Sequence, residues 1–237
     1  MAEDKDKSGA AGDRPRFFGR RSGKALRRTA LGLIDGLLPR LAIAIPGPDE
    51  RIDPVTLFPD PVEDIWLEVG FGGGEHLATL AEAHSDIGMI GCEVFRNGIA
   101  SLLGYVQAQD LDNVRVFPDD ARLLLPALPE ASLGRVFVLF PDPWPKSRHS
   151  ERRFINPDNL DQIARVLSDD GELRVASDDP IYVAWATRQL DAHPAFRREQ
   201  LTTERDTLPP DWPATRYEVK CLAGREPTFF RYRRIPR

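Results

Sequence analysis

The sequence predicts an α/β fold, with a mostly parallel sheet and helices on both faces. Three observations carry this expectation. From residue 65 onward, short apolar runs alternate with helix-like segments. A glycine cluster, Gly70, Gly72, Gly73 and Gly74, follows the first run directly and opens a helix-like segment. Several of the apolar runs end on or beside an acid. In open α/β sheets, ligands bind outside the carboxyl ends of the strands, where strand order reverses.

Taken in order, residues 65–69 read as the first strand and 75–84 as its helix. Residues 88–94 and 97–109 form the second pair, and 114–118 with a short helix near 122–128 the third. Residues 134–140 are the fourth strand. Asn156 is placed to cap the next helix, 157–167, and Pro157 suits its first turn. A fifth strand, 172–176, precedes a helix over 181–192. Late strands are expected near 196–203, 216–222 and 228–233. The 237 residues suffice for one large α/β domain with appendages. Residues 1–25 read as a basic leader, disordered when free. Residues 26–60 read as a helical segment with a Pro-rich linker, and 61–237 as the main domain.

Composition narrows the functional classes. A hydrophobic share of 41% with 29% charged residues is that of a soluble globular protein. The apolar stretch 30–45 is interrupted by Asp35, Gly36, Pro39 and Arg40, so it is too short and broken to cross a bilayer. Cys92 and Cys221 form no C-x-x-C pair, which favours a reducing, cytoplasmic setting. The four histidines lack metal-ligand spacing, so no protein-held metal is expected. The net charge of -5 conceals an asymmetry: residues 41–145 hold 5 Lys/Arg against 17 Asp/Glu, whereas residues 1–40 hold 10 against 5. Basic ends around an acidic middle suit a polyanion, the alternative being solvated surface charge.

Glycines at 70, 72 and 74 allow a sharp turn and close approach of backbone to a ligand. The dinucleotide fingerprint would want glycine at 75, where this chain has Glu75. A carboxylate at that helix start also repels a pyrophosphate. Glu68, two residues before the first glycine, suits a cationic ligand instead. S-adenosylmethionine carries an amino group and a sulfonium and no phosphate; NAD is the competing cofactor. Glu93 ends the second strand, where a carboxylate accepts from ribose hydroxyls of either cofactor. Asp120, favoured over Asp119, follows the third strand and suits an adenine amino group, or is a turn residue.

The fourth strand ends in Pro141-Asp142-Pro143-Trp144-Pro145-Lys146, followed by Arg148, His149, Arg152 and Arg153. The prolines restrict the loop that presents Asp142. A purine N7 has an in-plane lone pair and needs no deprotonation to accept a methyl group. Its ring becomes cationic, and a nearby carboxylate such as Asp142 stabilises that charge. Trp144 either stacks on a base, worth about 1–3 kcal/mol, or packs the loop. Lys146 and the following cations suit phosphates. Asp178 ends the fifth strand on the same rim or caps the next helix. Thr215 and Glu218 read a base edge or ribose, or sit in an edge strand.

These motifs resemble the bacterial tRNA (guanine-N7)-methyltransferases over roughly residues 60–235. The resemblance rests on the 141–146 stretch with Arg148-His149 and Arg152-Arg153, on Leu67-Glu68-Val69-Gly70-Phe71-Gly72, and on Thr215-Arg216-Tyr217-Glu218. Phe18-Gly19-Arg20-Arg21 and Lys24 resemble the family's basic leader. The resemblance implies a Rossmann-like class I S-adenosylmethionine-dependent methyltransferase fold. It implies methyl transfer to N7 of the variable-loop guanine at tRNA position 46, by a cytoplasmic monomer or homodimer. Cofactor contacts are implied at Glu68, Gly70, Gly72, Glu93, Asp120 and Asp142, with Asp142 catalytic. Substrate contacts are implied at Lys146, Asp178, Thr215, Arg216, Tyr217 and Glu218, and RNA contacts at Arg148, His149, Arg152 and Arg153. Tyr217 stands where phenylalanine is usual, and Ser147, Ser150 and Glu151 thin a normally more basic segment. Competing readings are a methyltransferase acting on an exocyclic amine, an NAD-dependent oxidoreductase, and a non-catalytic RNA-binding module.

Overall fold

A computed structural model describes residues 16–45, 50–219 and 224–237. Its centre is a seven-stranded sheet formed by β1 (Asp64–Val69), β2 (Ile87–Cys92), β3 (Val114–Phe117), β4 (Leu133–Leu139), β5 (Leu167–Ser177), β6 (Phe196–Thr202) and β7 (Thr228–Arg234). The strand order is β3-β2-β1-β4-β5-β7-β6. The first five strands in that order run parallel, and β7 lies antiparallel between β5 and β6. The chain moves outward from β1 to β3 and then returns to place β4 beside β1. The crevice this reversal opens lies above the carboxyl ends of β1 and β4.

The helices are α1 (Arg28–Gly36), α2 (Leu38–Leu41), α3 (Glu75–Ala83), α4 (Arg96–Gln109), α5 (Ala121–Leu124), α6 (Pro157–Val166), α7 (Pro180–Ala192) and α8 (Arg216–Val219). Local chemistry sets their starts. Asn156 accepts from the Asn159 N–H at 3.0 Å, as its position before Pro157 predicts. Asp179 accepts from the Ile181 and Tyr182 N–H groups, with Pro180 in the first turn of α7. Such a side-chain cap is worth about 1 kcal/mol. Central strands are apolar on both faces because helices cover both. Leu67, Val136 and Val175 pack on one side; Trp66, Met89 and Phe137 pack on the other with α3 and α4. Fully burying one such side chain contributes about 1.5–3 kcal/mol.

One expectation is corrected. The strand expected at 216–222 begins instead as α8, because Thr215 and Glu218 cap each other. The Glu218 N–H donates to Thr215 Oγ1 at 3.2 Å, and the Thr215 N–H donates to Glu218 Oε2 at 2.6 Å. This is a reciprocal capping box; residues 220–222 lie outside the described residues. Residues 16–24 of the leader lie against the domain through Arg21, Gly23 and Lys24, while residues 1–15 fall outside the described set.

At the far end of β4 and β5 sits a buried ionic cluster. Glu172 bonds Arg174 at 2.8 Å, Arg135 at 3.0 Å and also Arg231. Asp211 bonds Arg135 at 2.6 Å and Arg174 at 2.9 Å. It ties β4, β5 and β7 to the segment ahead of α8, and so carries α8 to the sheet's edge.

Candidate active site

The glycine turn is built as the sequence predicts. Gly70, Gly72 and Gly74 have φ of 70°, 57° and 83°, the left-handed region that side chains disfavour. Glu93 holds this turn against the end of β2. Its Oε2 accepts from the Gly72 N–H, and its Oε1 from the Val94 and Phe95 N–H groups, all at 2.8 Å. An ionised carboxylate offers about four acceptor positions, so one on Oε2 stays open to a ligand. Burial raises the Glu93 carboxyl above its ordinary range against the pull of those amides. Gly98 in α4 completes the turn's support. A Cβ there would lie 2.0 Å from the Gly72 carbonyl oxygen. Gly98 is a site residue that the motif pattern does not contain.

Glu68 is buried and bonds His76 Nδ1 of α3 at 2.9 Å. It lies beneath the turn and is not part of the cleft wall. His76, absent from the sequence reading, is only 3% exposed, and its Nε2 has no partner among the described residues.

The cleft itself has a volume of about 440 Å³. One bank carries Glu93, Phe95, Asp119 and Asp120 from the ends of β2 and β3; the other carries Phe140, Asp142, Trp144 and Arg152 from the loop after β4. Asp120 caps α5 and receives the Arg122 guanidinium at 2.6 Å. Asp119 takes Arg21 at 3.3 Å.

Residues 16–24 cross between the banks, with Phe17, Phe18, Gly19 and Arg20 facing the cleft. Asn97 is the principal tether: its Oδ1 accepts from the Gly23 N–H and its Nδ2 donates to the Lys24 carbonyl, both at 2.8 Å. The Arg96 N–H donates to the Arg21 carbonyl at 3.0 Å. On the opposite bank the Phe18 ring lies edge-on to Trp144 at 6.2 Å, and the Arg152 guanidinium lies 4.1 Å above Phe18.

The Asp142 loop has an uncommon backbone. Phe140 and Trp144 have φ of 50° and 41°, conformations that cost on the order of 1–3 kcal/mol each and gather at functional sites. Tyr217 of α8 stacks on Phe140 with centroids 4.9 Å apart. Burial, then the charges of Asp178 and Asp142, raise the Tyr217 phenol, so these three groups share one neighbourhood. Arg216 reaches Glu75 at 3.3 Å. Thr215 and Glu218 are largely buried in the capping box, and Glu218 also holds Arg205 at 2.6 Å.

The basic block divides. Lys146 and Arg148 are exposed, and His149 lies edge-on to Trp144 at 6.1 Å. Arg152 is partly buried against the two aromatic rings. Arg153, 4% exposed, lines the inner part of the cleft, with its guanidinium on the Pro143 and Trp144 carbonyls. Among the described residues no cluster of His, Cys, Asp and Glu could hold a metal ion, and no helix is long and apolar enough to cross a membrane.

Comparison with known proteins fits this geometry. A family model described as "Putative methyltransferase" matches residues 62–230. The tRNA (guanine-N(7)-)-methyltransferase of Paramagnetospirillum magneticum is 69% identical over the whole of both chains. That of Rhodospirillum rubrum is 53% identical over 94% of this chain and 89% of the relative. Among solved structures, the 16S rRNA methyltransferase KamB aligns with a TM-score of 0.52 at 16% identity, over 74% of this chain and 89% of that one. A variant of the 16S rRNA (adenine(1408)-N(1))-methyltransferase of Catenulisporales acidiphilia, with its cosubstrate SAM, aligns at 0.50 and 15% identity, over 73% and 87%. These likenesses establish the class I methyltransferase fold. The chain belongs to the tRNA (guanine-N(7)-)-methyltransferase family.

Proposed function

We propose that this protein transfers a methyl group from S-adenosylmethionine to N7 of the variable-loop guanine at position 46 of tRNA, in the cytoplasm. The observation that carries the reading is one cleft with Glu93 and Asp120 on one bank and Asp142 on the other, with exposed Lys146 and Arg148 beyond Asp142. The cleft fits this cofactor better than a dinucleotide. It presents carboxylates to a cationic ligand, and Glu75 occupies the first turn of α3, where a pyrophosphate would otherwise sit. Glu93, with its open acceptor position, and Asp120 would hold the nucleoside, and the left-handed glycines would let the turn approach it. When bound, the cofactor supplies an electrophilic methyl group on a sulfonium.

The protein's own work is positioning and charge. Guanine N7 attacks with a lone pair it already has, so no general base is required. Positive charge develops on the ring, and the carboxylates of Asp142 and Asp178 stabilise it in place. The Phe140–Tyr217 stack forms an apolar wall beside them, and alignment of the reacting atoms accounts for much of the barrier reduction. Residues 61–237 form the catalytic domain in this reading.

The test is incubation with an unmodified tRNA transcript and methyl-labelled cofactor, followed by mapping of the label. Label at N7 of guanine 46, lost in a transcript with adenine there and formed far more slowly in Asp142→Asn, is the expected result. Label on an exocyclic amine, or full activity in Asp142→Asn, overturns the assignment.

A further inference from the structure

Arg153 belongs by sequence to the basic block and lines the cleft, yet its side chain is held by hydrogen bonds to backbone carbonyls. Its Nε donates to the Pro143 carbonyl at 3.1 Å, and its Nη2 to the Trp144 carbonyl at 3.0 Å. The guanidinium lies 4.8 Å from the Trp185 ring of α7. Trp185 is itself fixed by its indole N–H, which donates to the Ile155 carbonyl at 2.6 Å. The Arg153 carbonyl accepts from Asn156 Nδ2, the residue that caps α6, at 2.9 Å. The Arg153 side chain therefore joins the loop after β4 to the flank of α7, while its backbone carbonyl ties in the cap of α6.

The two carbonyls it holds follow Asp142 directly in the chain. Trp144, the second of them, has the left-handed φ of 41°. A residue of this kind stays in that region only when its surroundings hold it there. A planar fork that reaches two carbonyls and stacks on an indole does this; a lysine ammonium offers neither the fork nor the stacking plane. The residue is only 4% exposed, and Nε and Nη2 of its guanidinium are already committed to those carbonyls.

We propose that Arg153 is a positioning residue: it sets the 140–144 loop so that Asp142 stands at the acceptor rim, and it makes no RNA contact. The catalytic part of this inference rests on the function proposed above.

The experiment compares Arg153→Met, Arg153→Lys, Asp142→Asn and the Arg153→Met/Asp142→Asn double variant. Three quantities are read: single-turnover methylation at saturating tRNA and cofactor, tRNA affinity with its salt dependence, and hydrogen exchange of the 140–146 amides. Both Arg153 variants should methylate at least about tenfold more slowly, with tRNA affinity and salt slope unchanged. The double variant should be no slower than Asp142→Asn alone, because the loss runs through one carboxylate. The 140–146 amides should exchange faster. That readout needs no activity, so it tests the brace even if the wild-type protein fails to methylate guanine N7, which would sink the function reading separately. The lysine variant retains the charge and serves if the methionine variant does not fold. A salt slope lowered by about one unit with the saturated rate intact overturns the proposal, as does full additivity in the double variant or unchanged exchange in the loop.

Discussion

Replacement of Gly98 by alanine tests how the glycine turn is held. The new Cβ would lie 2.0 Å from the Gly72 carbonyl oxygen, whereas ordinary contact begins near 3.4 Å. The two groups must therefore separate by about 1.4 Å, the difference of those distances. Helix α4 cannot supply that movement freely, because Ile99, Leu102 and Leu103 are packed in the core. The turn is the softer partner, but moving Gly72 breaks its N–H bond to Glu93. Overpacking of this kind costs about 1–3 kcal/mol. If the turn absorbs it, cofactor affinity falls by roughly 5- to 150-fold, at about 1.4 kcal/mol per tenfold change. Calorimetric titration with S-adenosylmethionine measures this directly. Gly104→Ala, in the same helix with nothing within 4 Å of its added Cβ, is the control and should bind as the wild type does. Wild-type affinity and melting temperature in Gly98→Ala would refute the argument.

Three further outcomes follow from features of the fold. The Glu93 carboxyl is raised by burial, so the folded protein takes up its proton before the unfolded chain does. Its contribution to stability is then greatest in acid and declines as pH rises from the ordinary glutamate range through the raised value. Cofactor affinity runs the other way, because a hydroxyl donor needs the ionised carboxylate; a titration series that stays flat down to the ordinary glutamate range, or Glu93→Gln with the same pH profile, speaks against this. Glu172→Ala leaves Arg174, whose side chain is 2% exposed, with Asp211 as its one carboxylate and weakens the hold on Arg135 and Arg231. The expected loss is about 3–5 kcal/mol, or roughly 6–20 °C in melting temperature for a domain of this size, and a shift of only a degree or two contradicts it. Arg148→Gln, at an exposed position, should lower the salt slope of tRNA binding by about one unit without changing the saturated rate; an unaltered slope leaves Arg148 facing solvent.

The legible parts of this molecule are those in which the signal is local. Parallel strands covered on both faces read as continuous apolar runs, and Gly70 to Gly74 announced a turn because left-handed backbone selects glycine. Thr215 and Glu218 also carried a local signal, the three-residue spacing of a capping box, which the strand reading of 216–222 passed over. Other features depend on approaches that spacing alone does not report. Gly98 matters because α4 meets the Gly72 carbonyl, 26 positions back along the chain. His76 finds Glu68 only after the turn folds the first helix over the strand end. Arg153 follows the exposed Lys146 and Arg148, and only past the 3₁₀ turn over Ser147–Arg152 does it become buried.

The crossing segment at residues 16–24 separates two meanings of the word domain. The region matched by the family model, which spans most of the sheet, starts at residue 62, although a relative aligns over the whole chain. The cofactor cleft nevertheless takes part of its wall from Phe17, Phe18, Gly19 and Arg20, more than forty positions earlier. A protein trimmed to residues 62–230 would keep the strand-end acids but lose Leu41, Ile43, Ile52 and Phe58 from the core as well as part of the cleft wall. The start of the matched region therefore marks neither where the core begins nor where the cleft is enclosed, and a truncation designed on it should keep neither intact.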